Sequence, residues 1–189
     1  MTVRRGFRAE AERISAALRK DLGIAEADPL PLDDAARARN VRVVSAAELV
    51  EVERLAELDR LQAFAFSACT FDVGSKAVIV FNPLRSEPRQ HSDVAHELSH
   101  LLLRHELTEI REVAGLPFRT CRPDQEEEAT TLGGTLLLPR PLLLRAVARG
   151  MAIDDVAREY AVTPEMARFR LNTTGVARQI DRARATRAR

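Results

Sequence analysis

Residues 94–106 read VAHELSHLLLRHE, and this stretch decides the fold of the chain. Apolar residues recur through it at helical spacing, which predicts a core helix. His96 and His100 stand four positions apart, so an α-helix places both on one side, roughly one turn apart. Glu97 follows His96 directly and can lie beside their meeting point without being a ligand. Two neutral imidazoles with an adjacent carboxylate predict a zinc site that activates water for hydrolysis.

The alternative interpretation is a structural core helix whose polar residues face solvent. Histidine and glutamate on a mostly apolar helix need partners once buried, and a metal supplies one, which favours the metal site. The other two histidines, His91 and His105, are each five residues from the nearer inner histidine, roughly 140° round a helix. We therefore expect both to be solvated residues near helix ends, with no role in metal binding.

A catalytic zinc ion usually takes three protein ligands and keeps a fourth position open. The best region for the third ligand is 124–129, DQEEEA. Pro123 and Asp124 predict a helix start, with Asp124 as the N-cap. Acidic residues in the first turn of a helix also complement its dipole without any metal. Spacing alone therefore leaves three candidates for the third ligand: Glu126, Glu127 and Glu128.

The remaining chain predicts short helices and a few strands, with no repeat. Residues 106–123 are poorly patterned and are expected to form a loop over the site. Strand 77–81 is expected either to offer an edge to which an extended peptide could add, or to be a covered core strand. The other predicted elements are a helix from Phe7 to Leu22 ended by Gly23, a helix from Asp33, strand 41–44, a helix capped by Ser45 and running past Leu58, a hairpin of 66–73 with 77–81, and helices after Pro88, at 126, from Pro141, at 153–160 and at 163–172.

Residues 153–171, IDDVAREYAVTPEMARFRL, resemble a helix-turn-helix and are followed by a basic tail at 176–189 that we expect to be flexible. One interpretation is direct DNA binding. The other, which we favour, is two small helices packed on the catalytic core. Tyr160 is the only tyrosine and a conceivable oxyanion donor, although a core position is the favoured interpretation.

Composition fits a soluble intracellular enzyme, and we expect the protein in the cytoplasm. The 189 residues suit one domain, which we place at 1–175 with 140–175 as a helical subregion. The formal net charge of +1 gives no global field that would attract nucleic acid or a membrane, and no apolar run approaches a membrane span. The first residues lack the apolar core of a signal peptide. Cys69 and Cys121 have no metal-type spacing and are expected to be free thiols.

Three segments together are similar to the ImmA/IrrE family of zinc metallopeptidases. The family pattern is a strand ending in Asn-Pro, then AHExxHxLL, then Glu-x-x-(Ala/Cys)-Asn-x-Phe-Ala-Ala-x-Leu-Leu-x-Pro. This chain has VIVFNP at 78–83, AHELSHLLL at 95–103 and EEEATTLGGTLLLP at 126–139. It departs from the pattern at Thr130, Leu132 and the pair Gly133–Gly134. The resemblance runs from about residue 7 to about residue 175.

The resemblance implies an α+β, mostly helical zincin-like domain with a small sheet. It implies Zn²⁺ as the cofactor, His96, His100 and Glu126 as its ligands, and Glu97 as the catalytic base. The family's members cleave helix-turn-helix repressors, which relieves repression of stress-response or mobile-element genes. A protein substrate of that kind is therefore expected, with no direct nucleic-acid or membrane partner. The alternative is a regulatory protein that binds DNA or sequesters a repressor, with an intact zinc site and negligible turnover.

Overall fold

The structure is a computed structural model that describes residues 3–61, 66–73, 76–106, 109–113 and 116–179. The predicted α+β class is confirmed, because helices predominate and surround one small three-stranded sheet. The elements in chain order are α1 Phe7–Asp21, α2 Leu32–Arg37, β1 Val41–Ser45, α3 Val52–Leu61, β2 Ala68–Val73, β3 Lys76–Phe81, α4 Glu87–Leu103, β4 Glu109–Val113, β5 Leu116–Thr120, α5 Pro123–Leu137, α6 Arg140–Ala148, α7 Ile153–Glu159 and α8 Pro164–Thr174.

The hydrophobic core forms where α1, α4 and α5 pack together. Val94, Ala95 and Leu98 are buried on one side of α4, as its apolar spacing predicts. Leu132 of α5 and Phe7 of α1 are fully buried in the same cluster. Helix α5 therefore packs against α1 and also lies beside α4. Helices α4 and α5 carry the candidate site.

The sheet packs on α4 with β3 at its centre. β1 pairs with β3 in parallel and β2 pairs with β3 antiparallel, so both edges of β3 are occupied. Ile79 belongs to the main core and its neighbour Val80 to a second cluster on the other side of the sheet. The edge role considered for strand 77–81 is therefore wrong. Its continuous apolar run is that of a strand buried on both faces, and β1 and β2 form the edges of this sheet.

Three local predictions were wrong. Ser45 caps a short 3₁₀ turn, Ala46–Glu48, and α3 begins separately at Val52. Residues 106–123 are not one loop, because β4 and β5 pair as an antiparallel hairpin. Arg122 rather than Asp124 is the N-cap of α5, since Pro123 has a fixed φ suited to the first helical position. Residues 74–75, between the two strands of the predicted hairpin, lie outside the described residues.

The C-terminal helices pack on the core. Arg170 of α8 is buried, donates from Nε to the Leu138 carbonyl at 3.0 Å and pairs through Nη2 with Glu12 at 2.7 Å. Tyr160 is buried in the main core, as its favoured interpretation expected. Most of the predicted basic tail, from residue 180 onward, lies outside the described residues. No helix in the described ranges is long and apolar enough to cross a membrane.

Candidate metal centre

Two neighbouring helices bring three side chains to one point. His96 and His100 project from the same side of α4, and their Nε2 atoms lie 3.0 Å apart. Glu126, in the first turn of α5, places Oε2 3.2 Å from His96 Nε2 and 3.6 Å from His100 Nε2. Within the described ranges these three residues form the group whose ligand atoms could share a metal ion.

The separations of these atoms suit a tetrahedral metal. Bonds of about 2.05 Å to nitrogen and oxygen, arranged tetrahedrally, put neighbouring ligand atoms about 3.3 Å apart. The three separations, 3.0, 3.2 and 3.6 Å, lie around that value. Two imidazoles and one carboxylate form a donor set that zinc accepts, and Glu126 is two-fifths exposed, so one side of the group is open. The residues present therefore fit a metal centre with an accessible position.

The structure distinguishes the three glutamates that spacing left open. Glu126 faces the histidines, and its hydrogen bonds to His100 and His96 hold the pKa of its carboxyl well below the usual range. Glu128 faces the other way, toward Arg4 and His105. Neither Glu127 nor Glu128 belongs to the group of possible ligands among the described residues.

Glu97 lies beside the group and is held by the sheet. Thr70 Oγ1 on β2 donates a 2.6 Å hydrogen bond to Glu97 Oε2. Thr70 pairs in register with Ile79 of β3, so its side chain lies on the face of the sheet that packs against α4. One carboxylate oxygen of Glu97 is therefore tied to an edge strand. No sequence pattern pointed to Thr70, because its contact depends on how the sheet meets the helix.

Helix packing explains why the chain has Gly133–Gly134 where the family pattern has two alanines. A Cβ on Gly133 would lie 3.2 Å from the backbone of Ala95 and from the His96 nitrogen. A Cβ on Gly134 would lie 2.9 Å from Met166 Sδ and 3.0 Å from Arg170 Cδ. Two adjacent glycines thus let α5 approach α4 on one side and α8 on the other, more closely than alanines would allow.

His105 is not solvated, contrary to expectation. The helix ends at Leu103, and Arg104 takes a left-handed conformation with φ 55°, so the chain turns back before residue 105. The backbone N–H of His105 then donates to the His100 carbonyl at 3.0 Å, and that of Arg104 to the Leu101 carbonyl, which together form a Schellman motif. The His105 side chain is only 6% exposed, and burial lowers its pKa.

His91 was also expected to be solvated, and this prediction was wrong. His91 is half-buried, and its Nδ1 lies 3.1 Å from the Ala161 carbonyl between α7 and α8. It does not join the group of possible metal ligands. His91 therefore connects the first half of α4 to the C-terminal helices.

Neither Cys69 nor Cys121 forms a disulfide. Cys121 Sγ lies 3.3 Å from His100 Nδ1, and burial raises the pKa of this thiol to about 11. Burial also raises the pKa of Cys69 to about 11, with a smaller contribution from the charge of Glu97. Neither is therefore a thiolate at neutral pH, and neither has the depressed pKa of a nucleophilic cysteine.

A cleft of about 400 Å³ opens along the sheet side of the centre. His96 and Glu97 lie on its wall, beside Thr130 and Asp93. Thr130 Oγ1 is 3.5 Å from His96 Nδ1, a longer contact than those around His100. Burial raises the pKa of Asp93, although Arg89 pairs with it at 2.9 Å. The cleft therefore borders His96 and Glu97, whereas His100 and Glu126 are not part of its lining.

Comparisons with known proteins agree with this architecture. Residues 37–172 match the model of a peptidase family, M78, described as the IrrE N-terminal-like domain. A solved structure described as a Mycobacterium tuberculosis transcriptional regulator has a TM-score of 0.53 at 18% identity, over 89% of this chain and 47% of that chain. This chain thus spans about half the length of that protein, and the likeness concerns the fold. No curated protein matches the chain.

Proposed function

The chain belongs to the M78 metallopeptidase family of IrrE N-terminal-like domains, and on this premise we propose that it is a zinc-dependent endopeptidase with a regulatory role. The observation that carries the proposal is the convergence of His96, His100 and Glu126, with Glu97 beside them but outside the ligand group. Two helices with a purely structural role would not need three ligand-type side chains directed at one open point.

Each residue has a distinct part in the proposed hydrolysis. His96, His100 and Glu126 would hold the zinc ion, which when bound supplies a more acidic water and polarises the scissile carbonyl. Glu97 takes the proton from the attacking water and later delivers it to the leaving amine. Thr70 engages one oxygen of Glu97 at 2.6 Å, which orients the carboxylate and leaves the other oxygen for the proton.

The substrate edge that we propose is β2 rather than β3. β2 pairs with β3 on one side only, and it carries Thr70, which contacts Glu97. A peptide that added to the outer edge of β2 would run beside the catalytic carboxylate, and main-chain hydrogen bonds would hold it extended. β1 is the other edge of the same sheet and serves as an internal control.

Hydrogen–deuterium exchange tests this edge. With the inactive Glu97→Gln variant and excess substrate, amides of β2 should gain protection while those of β1 do not. Equal protection of both strands, or protection of β1 alone, would show that substrate docks elsewhere.

The substrate class that we propose is a helix-turn-helix repressor in the cytoplasm, which family membership supports. The decisive experiment incubates zinc-loaded wild-type protein, and Glu97→Gln as its matched control, with candidate helix-turn-helix repressors from the same genome. Wild type should cut the repressor at an exposed segment and leave casein largely intact, while Glu97→Gln should retain zinc and cut neither. Rapid digestion of casein would contradict a regulatory role.

Adding the repressor's operator DNA to the same incubation separates cleavage from sequestration. If both proteins release the repressor from its operator without cutting it, the chain acts by sequestration, and Glu97 has no catalytic role. Direct DNA binding has less support, because the formal net charge of +1 gives the chain no global field that would draw it to DNA. A gel shift across salt concentrations tests it, since phosphate contacts weaken steeply with salt.

A further inference from the structure

A chain of polar contacts leads from His100 away from the candidate metal centre. His100 Nδ1 lies 3.0 Å from His105 Nδ1, and the two rings meet nearly edge to face. His105 Nε2 lies 3.4 Å from Glu128 Oε2, and the other oxygen of Glu128 accepts a 2.7 Å hydrogen bond from Arg4 Nε. These four residues come from α4 and the turn after it, from α5 and from the segment before α1.

The positions of the protons along these contacts follow from metal binding at His100 and from the carboxylate of Glu128. A histidine that binds a metal through Nε2 must carry its proton on Nδ1, so Nδ1 of His100 is a donor. A contact between two ring nitrogens needs one donor and one acceptor, so His105 Nδ1 accepts. A neutral imidazole has a single N–H, which then lies on His105 Nε2 and faces Glu128. Glu128 is the acceptor, and its other oxygen pairs with Arg4, which also pairs with Glu10 at 2.7 Å.

We propose that His105 and Glu128 are positioning residues that hold His100 in the tautomer and ring orientation required for metal binding. This inference rests on the proposed zinc site and adds two residues that spacing had assigned to solvent or to the ligand set. Neither residue contacts the metal position. Each acts through His100.

Burial makes these contacts effective. The side chains of His105, His100 and Glu128 are 6, 12 and 16% exposed, so water competes little for their hydrogen bonds. The Schellman motif also ties the His105 backbone N–H to the His100 carbonyl, so backbone and side chain of His105 are both anchored to the residue that it orients.

The two histidine ligands are not held alike. His96 Nδ1 has a hydroxyl, Thr130 Oγ1, at 3.5 Å, whereas His100 Nδ1 has His105 Nδ1 at 3.0 Å. Cys121 Sγ also lies 3.3 Å from His100 Nδ1, but a thiol is a weaker acceptor than a neutral imidazole nitrogen. His100 is therefore held at Nδ1 by a closer contact than His96 is.

The first test is zinc affinity, measured by competition with a coloured chelator rather than by activity. His105→Phe keeps a planar ring of similar size but removes both ring nitrogens, and should weaken zinc binding by about 10- to 100-fold. His105→Gln offers a carbonyl to His100 and an amide N–H to Glu128, and should restore most of that loss. His91→Phe, at the other end of α4, is the matched control and should bind zinc as wild type does.

A second measurement needs no mutation. Nitrogen-15 NMR of the histidine rings in the zinc-loaded protein should show His105 as the neutral Nε2–H tautomer and His100 with its proton on Nδ1. The opposite tautomer of His105, or wild-type zinc affinity in His105→Phe, would overturn the positioning role while leaving the zinc site and the proposed peptidase intact. A wild-type protein that takes up no zinc would overturn the site and the positioning role together.

Discussion

Replacing Gly133 with alanine tests whether close packing of α5 on α4 sets the metal geometry. The new Cβ would lie 3.2 Å from three backbone atoms of Ala95 and His96. Optimal contacts between non-bonded carbons begin near 3.5 Å, so the two helices must separate by about 0.3 Å. Backbone atoms of a buried helix cannot swing aside as a flexible side chain can.

This separation should affect metal binding more than stability. Alanine raises helix propensity by about 1 kcal/mol over glycine, while overpacking costs about 1–3 kcal/mol, so the net loss in unfolding free energy is about 0–2 kcal/mol. Metal–ligand distances tolerate only about 0.2 Å of error. Since His96 is on α4 and Glu126 on α5, we expect zinc affinity to fall by about tenfold or more.

The assay is chelator competition for zinc alongside urea denaturation of the metal-free protein. Gly134→Ala is the matched control, because its Cβ would meet only side-chain atoms of Met166 and Arg170 on α8. The control should lose stability and keep its zinc affinity. Wild-type zinc affinity in Gly133→Ala would refute the reasoning, and an equal loss in both variants would point to general destabilisation instead.

Three further predictions follow from particular contacts. Glu126→Ala should lose bound zinc by elemental analysis while Glu127→Ala retains about one ion per chain, and the reverse result would place the third ligand elsewhere. Because burial raises the pKa of Cys69 to about 11, its alkylation by iodoacetamide should be slow at pH 7 and accelerate about tenfold per pH unit up to pH 10; fast labelling at pH 7 would contradict this. Arg170→Met removes the cation of a buried ion pair and should lower the free energy of unfolding in urea by about 3 kcal/mol. Arg158→Met, at an exposed pair, should change this free energy by less than about 1 kcal/mol. Similar losses in both variants would show that burial of the ion pair does not matter here.

Local pattern was sufficient for most elements of the fold. The apolar spacing of α4 and α1, the hairpin of β2 and β3, and the short C-terminal helices are all where the sequence predicts them. These features depend on residues a few positions apart, so periodicity and capping residues report them directly. The same spacing places His96 and His100 on one side of α4, and the structure has them there.

A helical wheel gives the wrong direction for His105, because the helix ends before this residue. The wheel assumes that the helix continues, and it directs residue 105 away from His100. The chain instead adopts a positive φ at Arg104, which turns His105 back onto His100. Arginine is not a residue that marks such a turn, so no signal in the sequence announced it.

The sequence by itself determined which helix would present two imidazoles, and narrowed the companion carboxylate to three adjacent glutamates. Tertiary structure decided which glutamate faces them, which strand forms the edge beside Glu97, and why α5 contains two adjacent glycines. The physical reason is how far apart in the sequence the interacting residues lie. Helical periodicity is set by neighbours along the chain, whereas the approach of α5 to α4 and the order of the strands are set by side chains that pack together from distant parts of the sequence.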